Sequence, residues 1–465
     1  MKNLLLDLIE SIKTNRIFLL ILLLTFASYG LLVILSANKN KKVSLVLEKG
    51  ILIFLLCCLS GLRITPFFHW HPYFLIRPPF NATLANFQLV IYAFIIFILF
   101  SRVNFFISKK MPNLLRLSIV GNPFFWALTI MLIFSISWST DPLTTLKAVI
   151  VLVCINLVAT YLVGLYEDQE LFDIPMWSMA IIALMSNIVR RRTNLGYTGQ
   201  GGGLAGVLPS KNHLGTLMAV TTVLWYLRAN SSSKQRWISW GIAAISFILI
   251  PQTNSTGGLF LFITLFTIAV STNFLKKLRF KYAVIAIMLL LLITILMNIL
   301  IVSNLEKILG AAGKDLTLTG RTEIWSDILP AIQQHLWLGH GSYAFWQDWR
   351  EAANPAFKWI SGTWIPPHAH NGFLDVVVDL GLIGLVIFIL SFLVTLIQVV
   401  WYLFKRQGYE AIIPLIIIAY TLQLNLSESE FLRPYLLWFW YVLITLKMSV
   451  TFVAERKYNL SQQQK

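Results

Sequence analysis

Long apolar runs separated by short polar turns make up most of the chain, with one long polar interruption. The runs cover 17–36, 44–62, 88–107, 122–138, 143–165, 174–189, 212–228, 237–252, 257–273, 281–303, 380–404, 410–426 and 434–453. Each is about as long as a helix needs to cross a hydrocarbon core of ~30 Å at ~1.5 Å per residue. The pattern predicts an all-α polytopic membrane protein of about 12–13 transmembrane helices. The exception, from Ser303 to Asn371, predicts one large extracytoplasmic loop containing short helices. The chain then divides into N-terminal spans (1–121), a central bundle (122–303), the loop (304–371), C-terminal spans (372–453) and a cytoplasmic tail (454–465).

Composition agrees with this reading. Of 465 residues, 57% are hydrophobic and only 12% charged, about half the charged share of a soluble domain. A net charge of +17 in a soluble protein would suggest nucleic acid, but here the cations lie in short loops such as NKNKK (38–42), RANSSSKQR (228–236) and NFLKKLRFK (273–281). That distribution is how Lys and Arg orient membrane proteins, so no nucleic-acid partner is expected and the lipid bilayer is. Placing loops 108–121, 229–236, 274–280 and 405–409 in the cytoplasm puts 139–142, 190–211, 253–256, 304–371 and 427–433 outside. Thirteen crossings would then leave the N-terminus outside despite Lys2, Lys13 and Arg16. Either one early segment does not cross, or 63–87 holds an interfacial or re-entrant piece. The cysteines, Cys57, Cys58 and Cys154, all lie in apolar runs and imply neither disulfides nor a metal cluster.

Little outside the long loop has the polarity for chemistry. His69 and His71 have ligand-like spacing but sit among aromatics, which suits a membrane-interface belt. The glycine-rich GYTGQGGGLAG (196–206) follows no strand and lacks a Lys-Ser/Thr ending, so it reads as a flexible loop. RRR (190–192) falls outside, against the bias, and is either an anion-facing patch or a flanking cluster. In PSKNHLG (209–215), Lys211 and Asn212 open a span at the outer face, where polar groups need water, a partner or a ligand. NLSESEFLR (425–433) adds Glu428, Glu430 and Arg433 at another outer turn.

Within the loop, RTEIWSDILPAIQQH (321–335) repeats Ile324, Trp325, Ile328, Leu329 and Ile332 at helical spacing. These predict one apolar helix face, lying on the bilayer or on the bundle. Arg321 then stands at the helix N-terminus, where a bound anion would meet both its fork of donors and free backbone N–H groups. A plain solvated Arg fits the pattern equally. HAHN (368–371) follows Pro366-Pro367. His370 could take a proton near neutral pH at the membrane surface; a structural role and a metal shared with His368 are the other readings, though no carboxylate or cysteine completes a convincing ligand set.

Taken together, GRTEIW, PAIQQHLWLGHGSYAF and HAHNGFLDVVVDLGLIGL resemble the O-antigen ligase and polysaccharide polymerase family, above all its exopolysaccharide polymerases of the succinoglycan type. SWSTDP, PSKNHLG and NLSESEF match further pieces, so the resemblance runs over about 135–435. It implies a membrane glycosyltransferase of the bacterial inner membrane that works outside the cytoplasm. Its donor would be a polyprenyl-pyrophosphate-linked glycan, its acceptor another glycan, and it would need no nucleotide sugar, metal or other cofactor. Other polysaccharide export proteins are candidate partners. By this resemblance His370 is the base that deprotonates an acceptor hydroxyl, and Arg321 contacts the leaving pyrophosphate. Lys211, Asn212, His368, Asn371 and Glu428 are the expected substrate-binding residues. One departure stands out: ligases of the family place a second arginine where this chain reads NSTGG (254–258). That tilts the expectation from a ligase toward a polymerase; a lipid-linked glycan transporter is the more distant alternative.

Overall fold

The computed structural model describes Ser28 and residues 41–64, 68–69, 110–192, 196, 202–231, 235–311, 320–346 and 368–463. Apart from Ser28, the run predicted at 17–36 lies outside the described residues, as do the run at 88–107 and His71. The chain forms two compact units, residues 1–113 with 164–259, and residues 114–163 with 260–465.

In the first unit, α1 (Lys41–Leu59) packs on α5 (Asp168–Arg192), and α6 (Lys211–Ala229) lies against α7 (Arg236–Gln252). Two short antiparallel strands, β1 (Arg63–Ile64) and β2 (Phe68–His69), pair Arg63 with His69. Arg228 is buried and bonds both carboxylate oxygens of Asp173, at 3.1 and 3.0 Å. Arg190–Arg192 are the last turn of α5 rather than part of a loop.

The second unit holds most of α2 (Lys110–Gly121) and α4 (Pro142–Leu165), together with α3 (Pro123–Phe134), α9 (Phe280–Ala311), α10 (Gly320–Gln334), α11 (Gly372–Lys405), α12 (Ile413–Leu424) and α13 (Leu436–Gln463). α8 (Thr256–Leu275) begins in the first unit's share of the chain and continues in this one. Stretch 108–121, expected as a loop, is mostly helix: α2 and α3 form one apolar rod bent by 104°. The bend falls at Asn122, whose side chain caps α3 through the Phe125 N–H. Its amide reaches across to the Ser391 carbonyl and the Thr395 hydroxyl, each at 3.0 Å. A Pro at the first position of α3 makes this start favourable.

The expected all-α polytopic membrane architecture is present. Four helices among the described residues, α4, α5, α11 and α13, are long and apolar enough to cross a membrane, and the bent α2–α3 pair is a fifth candidate. α11 is not one continuous helix. At Gly381 the backbone takes φ 67°, ψ −171°, a conformation close to exclusive to glycine. In an unbroken helix the amides of Leu382 and Ile383 would bond the carbonyls of Val378 and Asp379. Here those amides bond the carbonyls of Leu336 (2.8 Å) and Trp337 (3.3 Å) instead. The Val378 and Asp379 carbonyls in turn accept from His340 and Gly341, both at 2.9 Å. Segment 336–341 is thus spliced into the break and satisfies backbone groups on both sides of it, as a lipid-bounded helix requires.

Candidate functional site

The splice holds the polar segment following α10 against α11. α10 contributes Ile324, Ile328, Ala331 and Ile332 to a core shared with Phe345, Trp346, Ala369, Val377 and Val378. The predicted helical face is therefore turned to the bundle, not to the bilayer. Its edges differ from expectation: Trp325 is half-buried at the margin and Leu329 is exposed.

Trp325 does more than pack. Its indole N–H donates to the Ala369 carbonyl at 2.8 Å, while the Ala369 N–H donates to Asp375 Oδ1 at 3.2 Å. Ala369, the second residue of HAHN, is fully buried, with its peptide groups gripped from two directions. On one side, His368 Nδ1 accepts the N–H of His370 at 3.2 Å. On the other, Asn371 caps α11 through the N–H groups of Phe373 and Leu374. His370 itself is held at φ 51°, the left-handed region, which an ordinary side chain enters only when its surroundings impose it.

The turn after α12 closes the site. Asn425 is buried, and its side-chain oxygen accepts the N–H groups of Glu430 and Phe431. Its carbonyl accepts from Gly372, and the Ser429 hydroxyl accepts from Asn371. These bonds bring Glu428 to His370, with Oε2 3.4 Å from Nδ1. Burial works to raise the Glu428 carboxyl, but the hydrogen bond from His370 and the electrostatic influence of the neighbouring histidines and Arg321 outweigh it and hold the group down at about 2. Glu428 is therefore ionised at any working pH. His368 is pushed the other way, to about 3, first by burial and then by the charge of His370, so it stays neutral. Burial lowers the Arg321 guanidinium from its usual value and the Glu428 charge opposes that shift, which places Arg321 in the same electrostatic cluster.

A buried ionic layer lies beneath. Arg433 pairs with Asp379 at 2.6 Å and with Asp375 at 3.8 Å, and sits 4.1 Å over the Tyr343 ring. Asp375 also accepts the Trp346 indole N–H at 2.8 Å. This layer was not anticipated from sequence. Its signal is visible in hindsight: Asp375 and Asp379 stand one helical turn apart at the start of an apolar run, and intramembrane acids imply a named partner.

Of the expected site residues, His370, Arg321, His368 and Glu428 come together. Asn371 is adjacent, but its side-chain oxygen is occupied by the α11 cap. Lys211 and Asn212 belong to the first unit, where they open α6 behind the Ser210 cap; Lys211 is partly buried beside Gly203, and Asn212 is exposed. His368, His370 and Glu428 each offer a ligand atom within 4.8 Å of the others, so a transition-metal ion could be held there. Yet His368 Nδ1 already takes a backbone N–H and His370 Nδ1 faces Glu428; the trio is bonded to itself.

Comparison with known proteins points the same way. Over 85 residues, 18% of this chain, it is 40% identical to the exopolysaccharide production protein ExoQ of Rhizobium meliloti (strain 1021). That stretch spans a fifth of the relative's length. Residues 241–389 match the O-antigen ligase family. The family likeness read from the motifs is thus met by an O-antigen ligase match over the third of the chain that carries Arg321, His368, His370 and the break at Gly381.

Proposed function

We propose that this protein is a membrane glycosyltransferase that polymerises polyprenyl-pyrophosphate-linked oligosaccharide repeats into an exported polysaccharide. The observation that carries the reading is the cluster of Arg321, His370 and Glu428, drawn from three separate parts of the chain. The ionised Glu428 accepts the Nδ1 proton of His370, which leaves Nε2 with a free lone pair. Nε2 takes the proton of an acceptor hydroxyl as its oxygen attacks the anomeric carbon of the donor. The bond from that carbon to the pyrophosphate breaks, and the leaving polyprenyl pyrophosphate carries away the electron pair. Arg321 meets the charge that builds on it, with a guanidinium fork suited to phosphate oxygens. Direct displacement inverts the anomeric centre. No step needs a metal, and turnover is expected to survive dialysis against EDTA. In this reading the protein lies in a bacterial inner membrane with the site outside the cytoplasm, a sidedness that the Lys and Arg bias supports.

The test is the length and carrier attachment of the glycan in a deletion strain complemented with wild type, Arg321→Ala or His370→Ala. Single repeats left on the carrier by the deletion, and by both variants, support the polymerase. Full-length chains accumulating on the carrier would make the protein a ligase. Full complementation by both variants would refute the site.

A further inference from the structure

Segment 336–341 does more than bridge a broken helix. The carbonyls it offers to Leu382 and Ile383 are those of Leu336 and Trp337, and Leu338 follows before the amides of His340 and Gly341 that bond Val378 and Asp379. Trp337 is 64% exposed and Leu338 42%. Leu329, on the side of α10 away from the core, is 51% exposed. These are large apolar side chains left exposed on an element whose opposite side, Ile324, Ile328, Ala331 and Ile332, is packed into the core. Their place in the fold says what covers them. The Trp337 carbonyl bonds the amide of Ile383, and Ile383 opens a stripe of exposed side chains that continues through Val386, Ile389, Leu390 and Ile397 along the spanning part of α11. A stripe of that length on a membrane-crossing helix faces lipid. The backbone bond from Ile383 to Trp337 places the exposed Trp337 and Leu338 next to the start of that stripe.

We infer that Trp337, Leu338 and Leu329 form a lipid-binding surface set into the boundary layer of the bilayer, and that the platform carrying the His370 turn is seated in the membrane rather than held in solvent above it. The chemistry fits. Indole is favoured where hydrocarbon meets headgroups, and non-helical backbone is tolerated at that depth only where its N–H and C=O groups are paired, as they are in the splice. Trp138 secures the same element, donating its indole N–H to the Leu338 carbonyl at 2.9 Å. The inference stands on the geometry of α11 and does not require the glycosyl-transfer reading. If both hold, the seat brings the reacting groups to the level at which a lipid-linked pyrophosphate presents itself.

The test uses the full chain in proteoliposomes, with a fluorophore attached at Trp337→Cys, Leu338→Cys or Leu329→Cys. Val386→Cys serves as the lipid-facing reference and Tyr458→Cys, on the exposed end of α13, as the aqueous one. The native cysteines are buried or partly buried, and wild type gives the labelling blank. Quenching is measured with phosphatidylcholine spin-labelled near the headgroup and with aqueous iodide. Several-fold stronger quenching by the spin-labelled lipid at 337 and 338 than at 458, with iodide protection, is the expected result. Iodide quenching at 337, 338 and 329 equal to that at 458 would overturn the inference. So would protection from both quenchers, which would mean that a second copy of the chain covers the patch. Three labelling sites guard against one variant failing to fold.

Discussion

Replacing Glu428 with Gln isolates the charge in the cluster while keeping its size. The carboxylate lies 3.4 Å from His370 Nδ1 and its side chain is about a quarter exposed, at 24%. Two opposite charges at that distance attract by about 5 kcal/mol at an effective dielectric of ~20, and by about 1 kcal/mol in bulk water. Partial exposure puts the pair between these limits. The carboxyl is held low, at about 2 against an ordinary 4.5, in the same direction, with His368 and Arg321 sharing in the effect. A screened attraction on the order of 2 kcal/mol, between the two Coulomb limits, therefore applies to the pair. In the proposed reaction His370 takes the acceptor proton, so the attraction grows in the transition state, and its loss raises the barrier rather than weakening substrate binding. At ~1.4 kcal/mol per decade, kcat is expected to fall roughly 10- to 100-fold with KM little changed. Glutamine can still accept the Nδ1 proton, so the residual activity reports the orientation alone. The assay is single-turnover glycan transfer in proteoliposomes, with melting temperature as the folding control. A Gln variant with wild-type kcat, or one that loses affinity at constant kcat, refutes the role given to Glu428.

Three further outcomes follow from the geometry. Gly381→Ala forces a side chain into a backbone region reserved for glycine, and its Cβ would overlap the Trp337 carbonyl; a loss of at least ~1–3 kcal/mol is expected by thermal unfolding in detergent, and a stable, active variant would dissolve the splice. Arg433→Leu leaves Asp375 and Asp379 buried without their cation, for which ~3–5 kcal/mol of destabilisation is expected, whereas the triple change Arg433→Leu, Asp375→Asn, Asp379→Asn should recover much of it. His368, held at about 3 in the fold against 6.5 when unfolded, is neutral in the native state while the unfolded chain takes up a proton below 6.5. Stability is therefore full above that pH and falls as pH drops from 6.5 toward 3, by at most ~1.4 kcal/mol per unit. His368→Asn should flatten the melting temperature between pH 7.5 and 5, and an unchanged slope would show that the histidine is not buried neutral.

How much of this was legible beforehand depends on the kind of order involved. Apolar runs and helix periodicity are local properties, so most described helices fall where the pattern put them, and the Ile324, Ile328 and Ile332 face was visible as a face. What the pattern could not say was what that face meets. A stripe with helical spacing serves a bilayer and a bundle equally well, and the decision was made by α11, packed against α10. The kink at Asn122 was hidden for a related reason: the basic stretch SKKMPNLLR reads as a loop by charge, yet its apolar positions let α2 form beside the bend. Glu428 was singled out for its charge at an outer turn, but its pairing with His370 across 58 residues depends on the Asn425 bracket, which no local rule reveals.

The break in α11 explains why the site lies where it does. A continuous helix through Gly381 would consume the carbonyls of Val378 and Asp379 in its own ladder, and segment 336–341 would have no backbone to hold. Opening the ladder for a single turn creates two acceptors and two donors at one place, and the same segment fills all four. The glycines make this approach possible: a Cβ at Gly339 would stand 2.5 Å from the Leu380 nitrogen. Once seated, that segment presents Tyr343 to Arg433 and Trp346 to Asp375. Asp375 then holds Ala369, and through it His370 is kept in a conformation that it would not adopt alone. The rigidity of the histidine is thus borrowed from a spanning helix, and a short turn gains the positional constancy that proton transfer requires.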